Sequence, residues 1–403
     1  MKRYIKYILT FVLFSCAVSC TVDDEIANPN DGGQMVLRLA SSTMTRADND
    51  NSRSEDKLVI ADLYLFKTDE SGNAKGDSQW HKRVTFNSNA TDLDYTATSS
   101  NGGGEVSNLK IDNNVLTSVF GADGKGSGKL YVIANYDKVT SGDKVEGESL
   151  PDQATLEELQ KTVVATAQWG PKTEGTAWAD QSSFVMDGEG TVTKNGSSVG
   201  SSDPISLTRA AAKIELTITG YTDKVVYNDV TWSPVLDHAT LKAYVTMNNS
   251  VTSSYVGAAW DKTYTYDATT KRYGFTTATR KIENEDDETS KTVTVYPQAN
   301  PFYSYSSDWS GTDGANKASL LLAVPWTNGE DTKHSFYEIP IGSRTNEKIE
   351  RNKYYKIDIF VGTLGSFEES KKVTLTPNIT VVDWSTGQID VNINQAEYLV
   401  VDE

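Results

Sequence analysis

The sequence predicts an all-β protein with one or two short helices, organised as antiparallel β-sandwiches. Aromatic and β-branched residues favour pleated sheets, and the 403-residue chain contains 20 Tyr together with many Thr and Val. Short apolar or alternating segments recur between glycine-rich and charged loops, which is typical of antiparallel sandwiches. The length accommodates two domains, and we place their boundary near Gly220, between 47–220 and 221–403.

The N-terminus has the pattern of an export leader. A basic start precedes an apolar run over residues 8–18 that is too short to span a bilayer comfortably. The run ends at Cys20, a candidate for lipidation, and acidic residues follow at 23–25. Two alternatives stay open: lipidation at Cys16, and a plain secretory leader in which Cys20 has no role.

Cysteine usage and charge exclude several classes of function. Both cysteines, Cys16 and Cys20, lie in the leader, so the remaining chain has no disulfide, no cysteine metal ligand and no thiol nucleophile. The formal charge of −17 disfavours binding to nucleic acid or to an anionic membrane surface.

The segment after the leader combines a strand with a basic residue. Met35, Leu37 and Leu39 alternate with other positions, which predicts a short strand with one apolar face. Arg46, followed by Ala47, then opens a polar run. An apolar strand just before an exposed arginine suggests a removable segment. The alternative is an ordinary first strand followed by a loop.

Further strands are predicted from alternation and apolar runs. They lie at 58–66, 80–86, 129–135, 184–186, 205–219, 239–247, 292–296, 319–324, 334–339, 354–361, 371–376 and 379–384. Residues 87–108 are rich in Asn, Thr, Ser and Gly and are predicted to be a loop. Thr155 and Glu158 fit a capping box, which predicts a helix whose apolar face continues to Val163 and Val164.

The C-terminal tail also has the character of a strand. Ile389, Val391 and Ile393 alternate with polar residues, and the apolar pattern continues through Leu399 and Val401. Chain termini usually fray. This tail is therefore either an internal edge strand or a strand intended for another molecule.

No pattern in the chain predicts catalysis, a cofactor or a metal site. Residues 121–129 superficially suggest a phosphate loop, but Leu130 replaces the required Ser or Thr and a strand follows, so a hairpin loop is predicted. His81, His238 and His334 lack metal-ligand spacing. We expect no enzyme activity. Six tryptophans offer a glycan platform or, more often, core and loop anchors: Trp169, Trp178, Trp232, Trp260, Trp309 and Trp326.

Several short motifs follow one another along nearly the whole chain: TRA at 45–47, LYVIAN at 130–135, LTRA at 207–210 before AKI at 212–214, RNKYYKI at 351–357 and VVDW at 381–384. In this order they resemble the motifs of the fimbrillin family, the subunits of type V pili in Bacteroides-type bacteria. The leader adds to the resemblance, because its acidic residues after Cys20 are similar to the export signal of surface lipoproteins in these bacteria.

The resemblance implies a fold and an assembly route. The fold would be two transthyretin-like β-sandwich domains in tandem. Residues 1–20 would be a lipoprotein signal peptide ending at lipidated Cys20, and 21–46 a propeptide that an Arg-specific protease removes by cutting between Arg46 and Ala47. The removed strand would carry Met35, Leu37 and Leu39. The donor strand, about 389–403, would carry Ile389, Val391, Ile393, Leu399 and Val401.

The resulting hypothesis is a structural pilus subunit that polymerises by donor-strand exchange and serves adhesion and biofilm formation. It would begin as an outer-membrane lipoprotein precursor and end in an extracellular fimbrium. Its partners would be copies of itself, accessory fimbrial subunits and the maturation protease, without nucleic acid or cofactors. Alternatives are an anchor or tip subunit, or a monomeric surface lipoprotein that binds glycan or host ligand. Arg38 and Arg53 are further basic residues near the expected cleavage site.

Overall fold

The structure is a computed structural model that describes residues 33–41, 58–86, 95–100, 103–136, 150–165, 184–195, 198–201, 203–235, 240–264, 266–273, 276–282, 291–298, 301–310, 317–341 and 347–383. Within these ranges almost every element is a β-strand, and the α-helices are two short ones. The predicted all-β class is confirmed.

The elements up to Arg209 are ten strands and both helices, counted over the described ranges. They are β1 Gly33–Ser41, β2 Ile60–Thr68, β3 Ala74–Thr85, β4 Thr96–Ser100, β5 Gly103–Ile111, α1 Asn113–Phe120, β6 Ser127–Ala134, α2 Leu156–Gln160, β7 Val163–Ala165, β8 Met186–Asn195, β9 Ser198–Gly200 and β10 Ile205–Arg209.

The elements after Arg209 are strands and one 3-10 helix in the described ranges. They are β11 Ala211–Tyr221, β12 Val225–Tyr227, β13 Val230–Pro234, β14 Tyr244–Val251, β15 Ser253–Tyr255, β16 Tyr266–Tyr273, β17 Thr276–Ile282, β18 Lys291–Gln298, β19 Phe302–Tyr305, β20 Ser307–Asp308, β21 Ser319–Thr327, β22 Thr332–Pro340, β23 Lys348–Ile349, β24 Lys353–Val361, the 3-10 helix Glu369–Lys371, β25 Val373–Thr374 and β26 Asn378–Asp383.

The first half is one sheet that curls over its own core. Its order in the described chain is β3-β2-β6-β8-β10-β1-β5-β4, with β9 paired to β1 and β8. Residues beside β3 and β2 reach the other end of this order at Gly104 in β5, where a Cβ would lie 2.7 Å from a ring carbon of Phe86, directly after β3, and 3.1 Å from a methyl carbon of Leu58, just before β2. The two ends of the sheet therefore face each other across a shared apolar core.

The second half is a sandwich of two sheets. One has the order β19-β11-β24-β26, and the other runs β12-β13-β21-β14-β16, with β22 and β25 extending it beyond β21. Alternate residues of β11, β24 and β21 meet in one core, as Leu216, Ile357 and Leu322 illustrate, each fully buried or nearly so. The two inner faces interdigitate in the way that aligned β-sandwiches require.

A third apolar cluster joins the halves. Tyr64 and Tyr131 contribute the outer face of the first sheet, and Tyr303 and Tyr354 contribute the outer face of β19 and β24. Strand β7 pairs with β15 across the same junction. Strands β2 and β6 are consequently covered on both faces, which explains why their sequences are nearly continuous apolar runs.

The chain passes from the first sheet to the second half at Ala210. Strand β10 lies in the first sheet, whereas β11 starts the second half at Ala211. The sequence suggested one continuous strand over 205–219 and a boundary near Gly220, which instead lies inside β11. We propose Ala210 as the boundary, because the strands on its two sides belong to different sheets.

The main error in the predicted elements lies in a segment rich in glycine and polar residues. Residues 87–108 were predicted to be a loop, yet β4 and the first part of β5 lie there. Gly104 is required in β5 because Phe86 and Leu58 leave no space for a side chain. This glycine is needed for tertiary packing and not for a turn. The local sequence therefore predicted a loop where a strand lies.

Two predictions about helices were also wrong in part. The capping box at Thr155 and Glu158 is confirmed, but the helix ends at Gln160, and Val163 and Val164 belong to β7. The predicted hairpin loop at 121–129 instead connects helix α1 to β6 and includes the first residues of that strand; α1 itself was not predicted from the sequence. Leu116, Val119 and Phe120 are buried at helical spacing and were the available signal. A helix-to-strand connection still has the wrong order for a phosphate loop.

Candidate functional site

The strand predicted after the leader is confirmed as β1, and it lies inside the first sheet. It pairs antiparallel with β5 from Gly33↔Ile111 to Ala40↔Gly103. On its other side it pairs parallel with β9 and then with β10. Because β1 stands between β5 and β10, it bonds along both edges, and we call the space that it occupies the strand slot.

The walls of the strand slot are β5 on one side and β9 and β10 on the other. Buried core residues of β5 and β10 are paired with the residues of the predicted apolar stripe. Met35 is paired with Leu109 and Leu37 with Val106 on β5, and both partners are fully buried. On the other side Leu39 is paired with Ile205, which is also buried. Directly paired residues share a face of the sheet. The stripe Met35, Leu37 and Leu39 is thus in register with the core side of both walls.

Strand β10 reaches the strand slot by crossing close to β8. Its last residues, Thr208 and Arg209, pair with Asp187 and Met186 of β8, whereas Ile205 to Leu207 pair with β1. At the crossing, a Cβ on Gly188 would overlap the Ser206 carbonyl oxygen, and a Cβ on Gly190 would lie 2.7 Å from Ile205. Two glycines in β8 therefore allow this wall of the slot to form.

The LYVIAN motif is explained by a buried asparagine. Asn135 has a φ of 60° and follows directly after β6. Its side-chain oxygen accepts a hydrogen bond from Val59 N at 2.9 Å, and its side-chain nitrogen donates to Phe184 O at 3.0 Å. The motif thereby ties the entrances of β2 and β8 to the end of β6.

The histidines have structural partners where the structure describes them. His81 Nε2 lies 2.9 Å from Asp62 Oδ1, and its ring stacks on Tyr64 with centroids 4.4 Å apart. His334 Nε2 lies 2.9 Å from Lys242 O. His238 lies outside the described residues. Among those residues, no three His, Cys, Asp or Glu side chains are grouped so that they could hold a metal ion.

The tryptophans divide between core and surface. Trp232, Trp309 and Trp326 are buried in the second core and cannot provide a glycan platform. Trp260 is only partly buried, but Tyr255 packs against it and Lys262 Nζ lies 5.7 Å from the centre of its ring. Trp169 and Trp178 lie outside the described residues.

The remaining predicted site residues also lie outside the described residues: Cys20, Arg46, Ala47, Ile389, Val391, Ile393, Leu399 and Val401. The structure describes the chain up to Asp383, which pairs with Lys353 at the end of β24 nearest the junction of the two halves. None of the described helices is long and apolar enough to cross a membrane.

Comparison with known proteins gives one type of curated relative. A 103-residue part of the chain is 28% identical to the major fimbrium tip subunit FimD of Porphyromonas gingivalis. The match covers 25% of this chain and 15% of that protein. No family model matches the chain.

Solved structures with a similar outline are more remote. A candidate cell-adhesion protein from Bacteroides eggerthii is 15% identical, with 89% of this chain and 97% of that chain covered and a TM-score of 0.49. A fimbrillin, FimA, from Porphyromonas gingivalis is 14% identical, with 88% and 98% covered and a TM-score of 0.48. At these scores the structural likenesses carry no argument about function. The curated match agrees with the motifs and confirms the predicted resemblance to the fimbrillin family: part of the chain is similar to a fimbrium subunit.

Proposed function

We propose that this chain is a subunit of a surface fimbrium that matures by loss of its first strand and polymerises by strand exchange. The precursor would be exported as a lipoprotein attached through Cys20 and cut between Arg46 and Ala47. A tail strand of about 389–403 from another subunit would then enter the strand slot. Copies of the chain and accessory fimbrial subunits would be its partners, in a cell-surface polymer that serves adhesion and biofilm formation.

The observation that carries the proposal is the position of β1. An N-terminal strand at the edge of a sheet would leave one open edge when removed, but β1 lies between β5 and β10. Its removal would expose unpaired backbone groups on both walls and the buried side chains beside them, such as Val106 and Ile205. Such a gap favours the addition of an extended strand from another chain.

Cleavage gives the exchange its direction. In the precursor, β1 is joined to the rest of the first half through residues 42–57, and a tether of this kind holds a strand at an effective concentration of order mM. Cutting after Arg46 would remove the tether without breaking any contact of β1. A donor strand with a similar apolar alternation would then compete on equal terms, and neighbouring subunits would supply it at high local concentration.

The proposal can be tested on protein sheared from the cell surface. Intact mass and N-terminal sequencing should give a start at Ala47, and unheated gel electrophoresis should show a ladder of high-mass species. Arg46→Ala should keep the precursor uncut and abolish the ladder, whereas Arg53→Ala should change neither result. A lipidated start at Cys20 with a single monomer band would contradict the proposal.

A tip role is the second candidate, because the curated relative is named a tip subunit. A tip subunit needs the strand slot but no donor tail. Deleting 389–403 separates the two roles. A polymerising subunit would lose the ladder, whereas a tip subunit would still join a fimbrium built from other subunits. Three tryptophans in the core weaken the remaining alternative of a monomeric glycan binder.

A further inference from the structure

The side chain of Arg351 connects the second half of the molecule to a wall of the strand slot. Arg351 lies in the turn between β23 and β24. Its Nη2 donates to Thr208 O at 2.7 Å, and its Nε donates to Arg209 O at 3.1 Å. Both acceptors are main-chain oxygens of β10. One guanidinium therefore binds two consecutive carbonyl groups of that strand.

The same guanidinium forms an ion pair with Asp187 of β8 through Nη2. Asp187 is largely buried, and its second oxygen accepts a hydrogen bond from Tyr131 OH at 2.9 Å. Gly257 covers this group so closely that a Cβ there would lie 2.6 Å from the Tyr131 hydroxyl. Burial raises the pKa of Asp187, while the charge of Arg351 acts to lower it. The ion pair is thus enclosed by both halves of the molecule.

The next residue holds the chain at the point where it changes sheets. Asn352 has a φ of 57°, and its backbone N–H donates to Ala211 O at 2.8 Å. Its side-chain oxygen lies 3.4 Å from both the backbone nitrogen and Nη1 of Arg209. Charge-assisted and paired hydrogen bonds of this kind are stronger and more directional than neutral ones. Arg351 and Asn352 together fix the segment from Thr208 to Ala211.

This fixed segment is continuous with the wall of the strand slot. In the described chain, Ile205 to Leu207 take β1 as their strand partner, and the two residues that follow are held by β8, Arg351 and Asn352. If β1 leaves, the three-residue wall stays attached at one end, next to the Arg351 contacts. The rigidity of that attachment then determines whether the wall keeps its extended shape.

We propose that Arg351 is a positioning residue of the strand slot, which holds β10 in place so that the slot remains formed while it is without a strand. The link between Arg351, β10 and β1 is independent of any polymer. Its consequence for assembly rests on the proposed function. The second half then acts as a support for the slot, and the Arg351 side chain adds a direct link between that half and β10 to the apolar contacts that already join the halves.

The direct test is hydrogen exchange by mass spectrometry on the full chain, comparing the wild type with Arg351→Met. Amide exchange should accelerate by about tenfold or more in 205–209 and also in 33–41, because losing charge-assisted hydrogen bonds raises the population of locally opened states. Exchange in β21 should not change. Lys353→Met, which removes a more exposed ion pair with Asp383 two residues away, is the matched control and should leave both segments unchanged.

Arg351→Lys separates the two parts of the contact. A lysine keeps a positive charge for Asp187 but cannot bind both carbonyl groups of β10 in a fork. Exchange in 205–209 should still accelerate, while exchange around Asp187 stays close to that of the wild type. This variant also keeps the test valid if Arg351→Met fails to fold.

Two outcomes would overturn the inference. One is unchanged exchange in 33–41 and 205–209 in folded Arg351→Lys; the other is equal acceleration in Lys353→Met. The readout uses the uncut precursor, so it stands even if the wild type never forms a ladder, a result that would contradict only the proposed function. If the ladder forms, Arg351→Lys should slow its appearance about tenfold, through a less well ordered slot.

Discussion

The two halves of the molecule build their sheets in different ways. In the second half, β11 and β24 form a long parallel pair from Lys213↔Tyr354 to Tyr221↔Val361 inside a two-sheet sandwich. In the first half, the parallel pair between β1 and β10 extends only over Leu39 to Ser41, and β9 extends the same edge of β1. On this edge β1 is thus held by two short parallel pairs, whereas the central parallel pair of the second half runs along most of both strands.

The difference shows in which half a strand can be removed while the domain stays folded. Removing β11 or β24 would divide the second core. Removing β1 would separate β5 and β4 from the remaining sheet, but contacts such as that of Gly104 with Phe86 and Leu58 would still hold the two parts together. The curled sheet of the first half is therefore suited to the exchange of a strand.

The largest expected effect is that of a charge placed in the strand slot. Leu37 is paired with fully buried Val106, so Leu37→Asp should put an unpaired carboxylate on the core side and cost about 3–5 kcal/mol. Denaturant unfolding followed separately in each half by hydrogen exchange should show loss of stability in the first half only. Arg38→Thr, one position along and paired with Glu105, is the control. Equal losses in both variants would contradict the predicted face of β1.

A smaller loss of stability should follow from placing a side chain where β8 and β10 cross. Gly188→Ala places a methyl group against the Ser206 carbonyl oxygen, a backbone atom that cannot move without shifting β10. Overpacking of this kind costs about 1–3 kcal/mol. Thermal unfolding would measure the loss, with Glu189→Ala on the next, more exposed residue as the control. An unchanged melting temperature would mean that β10 can be displaced easily.

The third prediction concerns the pH dependence at the junction. The pKa of Asp187 is raised from 3.8 by burial, and Arg351 opposes this shift. A carboxyl group with a raised folded pKa contributes stability at low pH that is lost as pH rises through that pKa, because the folded state then binds the proton more tightly than the unfolded state. Arg351→Met should raise the pKa further, so the loss should extend to higher pH.

Chemical denaturation from about pH 4 to about pH 8 would measure this change. Relative to the wild type, Arg351→Met should become progressively less stable across the range. Adding Asp187→Asn to that variant should remove the extra slope, since no carboxyl group is left to ionise. A slope that persisted in the double variant would show that the pH dependence does not come from Asp187.

The smallest expected effect is that of removing the confirmed cap at the start of helix α2. Thr155→Ala removes the hydroxyl that accepts from Glu158 N at 3.2 Å, and loss of a helix cap costs about 1 kcal/mol. The residue before the cap is bound to β3, because Ala154 O accepts from Ser78 N at 2.9 Å. Hydrogen exchange should rise locally at Ser78 and leave the strand slot unaffected.

The sequence predicted those features whose cause is local. The strand β1, the runs that became β2, β6, β22 and β24, and the capped start of α2 follow from alternation, apolar content or capping chemistry. Strand β5 was not predicted because the reason for Gly104 is a contact with Phe86, a distant residue that directly follows β3. Helix α1 was missed because its signal, Leu116 with Val119 and Phe120, is short and lies among residues with modest helix propensity.

The candidate site could be predicted only in part for the same reason. The apolar stripe of β1 is visible in the sequence, but its place between β5 and β10 depends on pairings between distant segments. The RNKYYKI motif drew attention to Arg351, yet nothing local indicates that its guanidinium binds Thr208 and Arg209. Such roles arise from the fold as a whole.

Both halves share one feature that affects how the chain folds. Each contains a parallel pair between its first strand and a strand close to its end: β1 with β10, and β11 with β24. Pairings between distant segments lengthen the search for the native topology and make folding slow. Neither half can complete its core until almost all of its own length is available. Each core is therefore expected to be completed only after the last strand of its half has left the ribosome or the export channel.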